Sequence, residues 1–447
     1  MLTITVLRLL ANAILSAEPG VDAIANRLSY VLDRKDRWVR SLALRYTASF
    51  PKKVVPRRRE IIRFLRSDPG LAAAARHPYR PIRVARWITG SQAMRPATAA
   101  VGWTVPPITT IGALAEWMKV TPEEVQWFAD LKGLNYKRPQ DQLEHYHYRG
   151  LVKKSGSIRL IESPKPRLKG LQQKILSDIL NRIPTHPAVH GFVRGRSIQS
   201  FAAPHVGQHV VLRMDLEDFF PSFSGVRIQG FFRTAGYPEP VADVLGGLAS
   251  NAVPQRALRS LITSARAGGR INQDQLWQLK AMYARPHLPQ GAPTSPALAN
   301  LCGYRMDCRL HGLAQQAGAV YTRYADDLAF SGGKDFARGL DRFSTFAATI
   351  LHDEGFSVNH AKTRIMRASV RQHLAGMVVN RRLNIRRTDF DSLKAILTNC
   401  VRHGPESQNR DGRPHFREHL AGRISFIAGI HPQRGKRLSA VFEQIKW

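Results

Sequence analysis

The stretch AVYTRYADDLAFSG, residues 319–332, decides how the fold is interpreted. Two β-type runs, Ala319–Tyr324 and Leu328–Ser331, flank a turn that contains Asp326 and Asp327. This pattern predicts a β-hairpin with two adjacent carboxylates at its tip. Asp–Asp is also ordinary turn chemistry. Here apolar strands and an aromatic residue enclose the turn, so the carboxylates would be costly to bury without cations.

A third carboxylate follows a buried-strand pattern in VVLRMDLEDFFPSF, residues 210–223. The apolar run Val210–Leu212 leads to Asp215, which on its own is better interpreted as a cap or ion-pair partner. Together with Asp326 and Asp327 it predicts a set of oxygen ligands of the kind that Mg²⁺ prefers. Such a set suits a two-metal site that activates a hydroxyl group and holds a triphosphate.

The composition indicates a polyanionic partner. The 447 residues contain 67 Lys and Arg against 33 Asp and Glu, a formal net charge of +34. Nucleic acid is the best candidate, because phosphate neutralisation releases counterions. A basic surface kept for solubility and an anionic membrane surface are the alternatives. The chain has three cysteines and no CxxC pair, so neither a disulfide framework nor a zinc ribbon is predicted. We expect a cytoplasmic protein without a membrane span.

The first 110 residues differ from the rest. They hold 19 Lys and Arg against 6 Asp and Glu, a local net charge of +13, with helical spacing around Arg27–Tyr46 and Arg58–Arg66. We predict a basic helical extension that binds RNA or a partner, although a solvated helix face is the alternative for any one cluster. Residues 88–107 have the composition of a linker. A helix is predicted at Ile111–Leu131, with Thr121 and Glu124 forming a capping box.

After Tyr146, short β-like runs alternate with helical ones, which predicts an α+β fold. Several segments in this region resemble, in order and spacing, the conserved boxes of reverse transcriptases. They are motif A (Asp215–Phe220), motif B (Leu288–Pro296), motif C (Tyr324–Asp327), motif D (Gly355–Thr363) and the primer grip (His373–Asn380).

The resemblance implies a right-hand polymerase. Its palm would be an antiparallel sheet with helices on one face, and its thumb would be short and helical. The expected segments are the N-terminal extension at 1–110, fingers and palm at 111–370, and primer grip and thumb at 371–447.

The resemblance also implies roles for individual residues. Asp215, Asp326 and Asp327 would hold two Mg²⁺ ions, with Mn²⁺ as an alternative. Lys362 would protonate the leaving pyrophosphate, unless it is an ordinary surface lysine. Phe220 would be a steric gate that favours dNTPs over NTPs. Residues of motif A, motif B and the fingers would contact the nucleotide; they are Arg159, Lys154, Leu216, Phe220, Gln290 and Gly291.

Finer features resemble the retron group of bacterial reverse transcriptases. Ala202 and His205 match the N-A-x-x-H signature, in which Phe201 replaces the Asn, and Gly376 alone matches V-T-G. The C-terminal stretch 419–445 resembles a retron thumb, interpreted as a helix, a Gly turn and a basic helix. The candidate RNA contacts are Arg423, Arg434, Lys436 and Arg437, with Arg57, Arg58 and Arg59 in the extension.

The retron resemblance implies a set of partners. They are a structured non-coding RNA that serves as template and primer, dNTPs, an RNA–DNA hybrid product and an effector protein in antiphage defence. Four alternatives stay open: a related defence enzyme with different priming, an RNA-binding scaffold on a polymerase fold, a group II intron-like enzyme, and a membrane-surface protein. The sequence identifies neither the RNA, nor the priming group, nor the oligomeric state.

Overall fold

The computed structural model describes residues 2–51, 56–87, 93–137, 144–152, 158–267 and 273–447. The described helices, in chain order, are α1 (Ile4–Ser16), α2 (Val21–Leu32), α3 (Arg37–Ser49), α4 (Arg58–Ser67), α5 (Pro69–Ala75), α6 (Ile111–Met118), α7 (Pro122–Ala129), α8 (Leu134–Lys137), α9 (Pro166–Asp178), α10 (Ile198–Ala202), α11 (Gly225–Thr234), α12 (Glu239–Ala249), α13 (Gln255–Ala267), α14 (Gln273–Tyr283), α15 (Ser295–Cys302), α16 (Tyr304–Gln316), α17 (Lys334–Arg338), α18 (Leu340–Asp353), α19 (Arg387–His403), α20 (Phe416–Ile430) and α21 (Pro432–Phe442).

The strands are β1 (Tyr146–Val152), β2 (Ile158–Pro164), β3 (Val210–Glu217), β4 (Ala319–Tyr324), β5 (Asp327–Gly332), β6 (Ser357–Val358), β7 (Arg364–Arg367), β8 (His373–Leu374), β9 (Met377–Val378) and β10 (Asn384–Ile385). The predicted α+β class is therefore confirmed. Within the described part of the chain, every helix is too short or too polar to cross a bilayer.

The chain forms two compact units. Unit 1 comprises residues 1–184 and 220–302, and unit 2 comprises residues 185–219 and 303–447. The two units are defined by compactness alone. The segments predicted at 1–110, 111–370 and 371–447 were defined by function, so they stay predictions.

Unit 1 begins with a bundle formed by α1 to α5. Leu10, Leu28, Leu42 and Ile61 are fully buried in a core shared by these helices. The helical pattern predicted around Arg27–Tyr46 is interrupted, because Asp33 adopts a left-handed φ of 52° and ends α2. The bundle therefore has its own hydrophobic core.

The stretch predicted as a linker, 88–107, contains an ordered part. Residues 88–92 lie outside the described residues. Beyond them, Arg95 N–H donates to Gly236 O at 2.8 Å and Ala97 N–H donates to Thr234 O at 3.0 Å. The linker prediction is therefore wrong for the part that lies against the end of α11 in unit 1, since its backbone donors are satisfied there.

The predicted cap at Thr121 is confirmed. Its hydroxyl accepts from Glu124 N–H at 3.2 Å, and the Glu124 carboxylate accepts from Thr121 N–H at 3.1 Å. Pro122 occupies the first helical position, where its missing N–H costs nothing. The pattern nevertheless covers two short helices, α6 and α7, because Lys119 has a left-handed φ of 58° and ends the first.

Unit 2 is built around an antiparallel sheet in the order β4-β5-β3-β6, with β7 also paired to β3. Five of the eight residues of β3 are fully apolar and buried, so both faces of this central strand are covered. A second sheet has the order β10-β9-β8. The helices α19, α20 and α21 share a further apolar core.

The predicted glycine turn between the last two helices is wrong. The structure ends α20 at Ile430 and begins α21 at Pro432. Pro432 cannot donate a backbone hydrogen bond but suits the first position of a helix, so the break falls at His431–Pro432. Gly429 and Gly435 lie within the helices.

Candidate active site

The hairpin that carries the two adjacent aspartates forms as predicted. Tyr324 pairs with Asp327, so Ala325 and Asp326 make a two-residue turn between β4 and β5. Ala325 has a φ of 55°, in the left-handed region that suits tight hairpin turns. The side chains of Asp326 and Asp327 are thereby fixed at the end of the hairpin.

The third aspartate lies beside them. β3 and β5 are antiparallel neighbours, and Asp215 is the direct partner of Asp327. Side chains of directly opposed residues share one face, with Cβ atoms about 5 Å apart. Leu216 N–H also donates to Asp326 O at 3.0 Å. Asp215 therefore lies at the same end of the sheet in unit 2 as Asp326 and Asp327, which come much later in the chain.

Two cations face these carboxylates. Lys362 Nζ lies 2.8 Å from Asp215 Oδ2, and Arg213 Nη2 lies 2.6 Å from Asp327 Oδ1. Lys362 was predicted as a site residue and indeed lies at the cluster. Arg213 was missed, although it precedes Asp215 by two positions on a strand and so had to share its face.

The carboxyl groups carry a local excess of negative charge. Burial raises the pKa of Asp326, and the neighbouring Asp327 and Asp215 raise it further. Burial also raises the pKa of Asp327, although Arg213 opposes the effect. A hard cation bound between these carboxylates would offset the repulsion between them and favour their ionised form.

No three His, Cys, Asp or Glu side chains in the described ranges converge closely enough to form a ready-made metal site. The all-oxygen donor set still fits Mg²⁺, which takes one or two carboxylates and completes its shell with water and phosphate. Two of the three donors hold a side-chain cation in this structure, at Lys362 and Arg213.

A buried ion pair supports the hairpin from beneath. Arg323 and Asp307 are fully buried, and Arg323 binds both carboxylate oxygens of Asp307 at 2.7 Å. Tyr321 donates to the same carboxylate at 2.8 Å. Arg323 Nη1 also donates to Ala325 O at 3.1 Å, so this pair fixes the turn directly. The pattern of a strand predicts its backbone but not the burial of a charged residue, so this support was missed.

A second missed contact lies on the other side of the turn. A Cβ at Gly191 would come within 2.6 Å of Ala325 N, so only glycine allows this approach. Phe192 follows with a left-handed φ of 60°, is 54% exposed, and its ring centroid is 6.2 Å from that of Tyr324. An exposed phenylalanine with a left-handed φ next to the aspartate hairpin makes Phe192 a further candidate site residue.

The predicted nucleotide contacts are divided between the units. In unit 1, Arg159 is an exposed residue of β2, and Glu162 N–H of the same strand donates to Gln290 O at 2.9 Å. Gly291 has a φ of 132°, and a Cβ there would lie 2.9 Å from Glu162 O. The structure therefore places Gln290 and Gly291 against β2, the strand that also carries Arg159. Lys154 lies outside the described residues.

Two further predicted contacts belong to motif A. Leu216 is a buried β3 residue of unit 2, and Phe220 is half-buried in unit 1. Phe219 is 4% exposed and its ring lies 5.8 Å from that of Phe356, in agreement with the prediction that Phe219 is the core phenylalanine.

A buried carboxylate stabilises the fingers strand. Glu162 accepts from Asn251 at 2.7 Å and lies 2.9 Å from His287 Nε2. Burial alone would lower the pKa of His287, but the attraction of Glu162 and the hydrogen bond between them raise it. These contacts hold β2 against the segment that leads into Gln290.

The candidate RNA contacts differ in exposure. Lys436 and Arg437 are exposed on α21, whereas Arg434 donates to Asn384 at 3.1 Å and lies over the Phe390 ring. Arg423 is half-exposed and lines a cleft of about 510 Å³ beside α20. In the extension, Arg57 is buried and donates to Gln229, Arg58 is half-buried, and Arg59 is exposed.

The retron-like signatures have clear structural positions in unit 2. His205 is fully buried, with Nδ1 2.6 Å from the Ser331 hydroxyl and Nε2 2.7 Å from the Thr322 hydroxyl, so it joins β4 and β5. Burial lowers its pKa to about 3. Ala375 and Gly376 form the turn between β8 and β9, both with positive φ, as a tight hairpin requires.

Comparison with known proteins agrees with this geometry. Residues 151–385 match the profile of the family described as reverse transcriptase (RNA-dependent DNA polymerase). The Retron Mx65 reverse transcriptase of Myxococcus xanthus is 38% identical over 310 residues, 69% of this chain and 67% of that protein. The Retron Mx162 reverse transcriptase of the same organism is 34% identical over 350 residues, 75% of this chain and 66% of that protein. The chain thus spans about two thirds of both relatives.

Among solved structures, a telomerase from Candida albicans in complex with a TWJ fragment of telomeric RNA aligns at 10% identity and a TM-score of 0.32. The alignment covers 66% of this chain and 56% of that one, a likeness too low to support any argument. The family profile covers more than half of the chain, and the paired residues Asp215 and Asp327 lie within the matched range. The chain therefore belongs to the reverse transcriptase family and is an RNA-directed DNA polymerase of the retron type.

Proposed function

We propose that this enzyme copies a dedicated structured non-coding RNA into DNA by two-metal phosphoryl transfer, in the bacterial cytoplasm and within a retron or retron-like antiphage system. The observation that carries the chemical part is the position of Asp215 directly opposite Asp327 on the neighbouring strand, with Asp326 beside it in the hairpin turn. The printed names of the relatives support the retron part. The net charge of +34 supports a large RNA partner.

In this proposal Asp215, Asp326 and Asp327 would hold two Mg²⁺ ions, for which Mn²⁺ could substitute. When bound, the ions would lower the pKa of the primer hydroxyl and neutralise the triphosphate. Arg213 orients Asp327 through two hydrogen bonds, at 2.9 and 2.6 Å. Lys362 is half-exposed beside Asp215, where its ammonium group can donate a proton to departing pyrophosphate.

The residues of unit 1 would select and hold the nucleotide. Arg159 is exposed on β2 and offers a guanidinium group to triphosphate oxygens. The backbone of Gln290 and Gly291 lies next to the same strand, and the Gln290 side chain would contact the nucleotide or the template base. The Phe220 ring would occupy the space of a 2′-hydroxyl and so favour dNTPs.

The partner RNA would be held by exposed cations of the helices that follow the primer grip, Lys436 and Arg437 among them, and by the basic bundle of unit 1. By analogy with the retron family, the RNA would also supply the priming hydroxyl, and the RNA–DNA product would act with an effector protein. Sequencing of the RNA and DNA that co-purify with the enzyme tests this part. A branched RNA–DNA molecule is expected, whereas linear or repetitive DNA would favour a related defence enzyme.

The catalytic assignment is tested with an Asp326→Asn/Asp327→Asn variant. We expect it to abolish dNTP incorporation on a primed RNA template, because the amides cannot hold the cations, while RNA affinity stays within about threefold of wild type. Asp335→Asn is the matched control, since that carboxylate is 88% exposed on the same unit. Incorporation that persists in the double variant would refute the metal assignment. A wild-type enzyme that binds RNA but incorporates no dNTP would favour the scaffold alternative.

A further inference from the structure

The segment Arg76–Trp87 (RHPYRPIRVARW) follows α5 in unit 1 without regular secondary structure, and we call it the arginine–aromatic segment. It holds four arginines and neither Asp nor Glu. Its backbone is nevertheless fixed, because the N–H groups of Ala85 and Arg86 both donate to Val31 O, at 2.9 and 3.1 Å. Pro81 O accepts from Arg34 at 3.3 Å. The segment is therefore anchored on α2 and the loop after it.

Three side chains of this segment contact the bundle. Ile82 is 8% exposed and Val84 packs on the bundle core. Arg86 is turned to the bundle as well, 2.8 Å from Asp33 and 4.6 Å above the Tyr30 ring.

The odd-numbered positions between residues 79 and 87 are all exposed. Tyr79, Arg83 and Trp87 are thus all exposed, and four residues of chain, at most about 14 Å, separate each from the next.

The exposure of the two rings is unusual. Tyr79 is 89% exposed and Trp87 is 76% exposed, the two highest values for large hydrophobic side chains in the described part of the protein. Rings of this size normally bury most of their surface. Arg80 and Arg83 are exposed beside them, and neither has a carboxylate partner among the described residues. The arrangement of exposed rings between unneutralised arginines calls for a ligand that offers both flat π-faces and negative charge.

Single-stranded nucleic acid offers both. Its bases stack on aromatic rings, and its phosphates bind Arg, whereas paired bases in a duplex present no free faces for stacking. The local net charge of +13 over residues 1–110 is complementary to such a ligand. Because the segment is already anchored to α2, little of its conformational freedom is lost on binding.

We propose that the arginine–aromatic segment is a docking site for single-stranded nucleic acid, with Tyr79 and Trp87 as stacking platforms and Arg80 and Arg83 as phosphate contacts. The segment belongs to unit 1, whereas the aspartate cluster belongs to unit 2. It rests on the proposed function only in that the enzyme handles an RNA template, and it specifies where an unpaired stretch of that RNA would be held.

The test uses the full chain and a uridine RNA of about 12 nucleotides that contains 5-bromouridine, with unlabelled primer–template duplex in excess to occupy the polymerase cleft. After irradiation, crosslinked peptides are identified by mass spectrometry. We expect crosslinks to Tyr79 or Trp87. A matched DNA oligonucleotide distinguishes an RNA site from one that accepts either strand, since the 2′-hydroxyl separates the two. Absence of crosslinks in residues 76–87 with both oligonucleotides would overturn the proposal.

Variants give a second readout. Tyr79→Ala/Trp87→Ala should lower the affinity for the single-stranded probe roughly tenfold or more, whereas Tyr79→Phe/Trp87→Phe should stay within about threefold because the stacking faces remain. Equal affinity of the Ala variant and wild type, or a loss in the Phe variant as large as in the Ala variant, would contradict stacking. A segment that binds protein rather than nucleic acid would give the first of these results.

The outcome is independent of the catalytic assignment. Asp326→Asn/Asp327→Asn should crosslink through Tyr79 and Trp87 as well as wild type does. Conversely, Tyr79→Ala/Trp87→Ala should lose the crosslinks in residues 76–87 but should still incorporate dNTPs on a pre-annealed primer. If Asp326→Asn/Asp327→Asn loses dNTP incorporation but still crosslinks, both the catalytic assignment and the docking site are supported. If wild type incorporates dNTPs but gives no crosslinks, only the docking site is refuted.

Discussion

In unit 2, Arg323 is fully buried against Asp307 beneath the hairpin of β4 and β5, whereas in unit 1 Arg83 is exposed and forms no ion pair with a carboxylate of the described residues. The first arginine compensates an acidic group inside the protein and fixes a backbone turn. The second contributes to a positive surface that only an external anion can neutralise. The difference teaches that the large net charge serves two purposes, and that position decides whether a cation supports folding or RNA binding.

The largest effect on stability is expected from Arg323→Met. This change leaves Asp307 buried without its partner, and breaking such a pair costs about 3–5 kcal/mol of unfolding free energy. Urea unfolding followed by circular dichroism measures it. The control is Arg338→Met, whose partner Asp335 is 88% exposed, and whose cost should stay below about 0.5 kcal/mol. Equal costs for the two variants would break the distinction between the buried and exposed arginines.

A pH dependence is expected from His205. Its pKa is lowered to about 3 in the folded protein, against about 6.5 when unfolded. Between these values the unfolded state binds a proton that the folded state does not. The stabilisation from neutral His205 is therefore complete above about pH 6.5 and shrinks as the pH falls toward 3.

Wild type should accordingly lose about 2 kcal/mol more unfolding free energy between pH 7 and pH 5 than His205→Gln does. Urea unfolding at both pH values measures the difference. Parallel pH profiles of the two proteins would show that His205 is not buried as described.

Asp68 is an intermediate case between the buried pair of Arg323 and the exposed arginines, because it is a buried carboxylate whose partner is partly exposed. Its side chain is 1% exposed, accepts from Arg45 at 2.6 and 2.8 Å, and caps α5 through Leu71 N–H at 2.7 Å. Asp68→Ala should cost about 1–2 kcal/mol, less than Arg323→Met, since Arg45 is 37% exposed and can be rehydrated. Thermal unfolding measures the loss. A cost as large as that of Arg323→Met would mean that position in the fold does not decide the effect.

The smallest effect on stability is expected from Arg80→Gln/Arg83→Gln. These exposed side chains should change the unfolding free energy by less than about 0.5 kcal/mol. The logarithmic salt slope of single-stranded RNA binding should fall by about 0.7 for each lost phosphate contact. Binding titrations between about 50 and 200 mM salt measure the slope. An unchanged salt slope together with a lower unfolding free energy would show that Arg80 and Arg83 support folding, as Arg323 does, and do not bind phosphate.

Much of the catalytic centre could be predicted from sequence because its signals are local. The apolar run before Asp215 and the two runs around Asp326 and Asp327 predicted strands at the positions of β3, β4 and β5, and a hairpin between the last two. These features follow from short stretches of chain or from a strong family pattern. The direct pairing of β3 with β5 is an observation of the structure.

The supporting contacts could not be predicted because they depend on tertiary neighbours. Nothing local distinguishes Arg323, which is buried with Asp307 of α16, from an arginine on a solvated strand. The same applies to His205, whose two hydroxyl partners lie on β4 and β5. Arg57, predicted as an RNA contact, is buried next to Gln229, which is 172 positions later in the chain.

The discontinuity of unit 2 has a consequence for synthesis on the ribosome. Arg213 on β3 and its partner Asp327 on β5 are 114 positions apart. At roughly 5–20 residues per second, β3 would wait on the order of ten seconds for its neighbour. During that time an apolar strand lacks its partners, which is a hazard for aggregation and a natural substrate for chaperones. The pairing of Asp215 with Asp327 cannot form until about three quarters of the 447 residues have been made, so premature termination before β5 leaves the aspartate cluster incomplete.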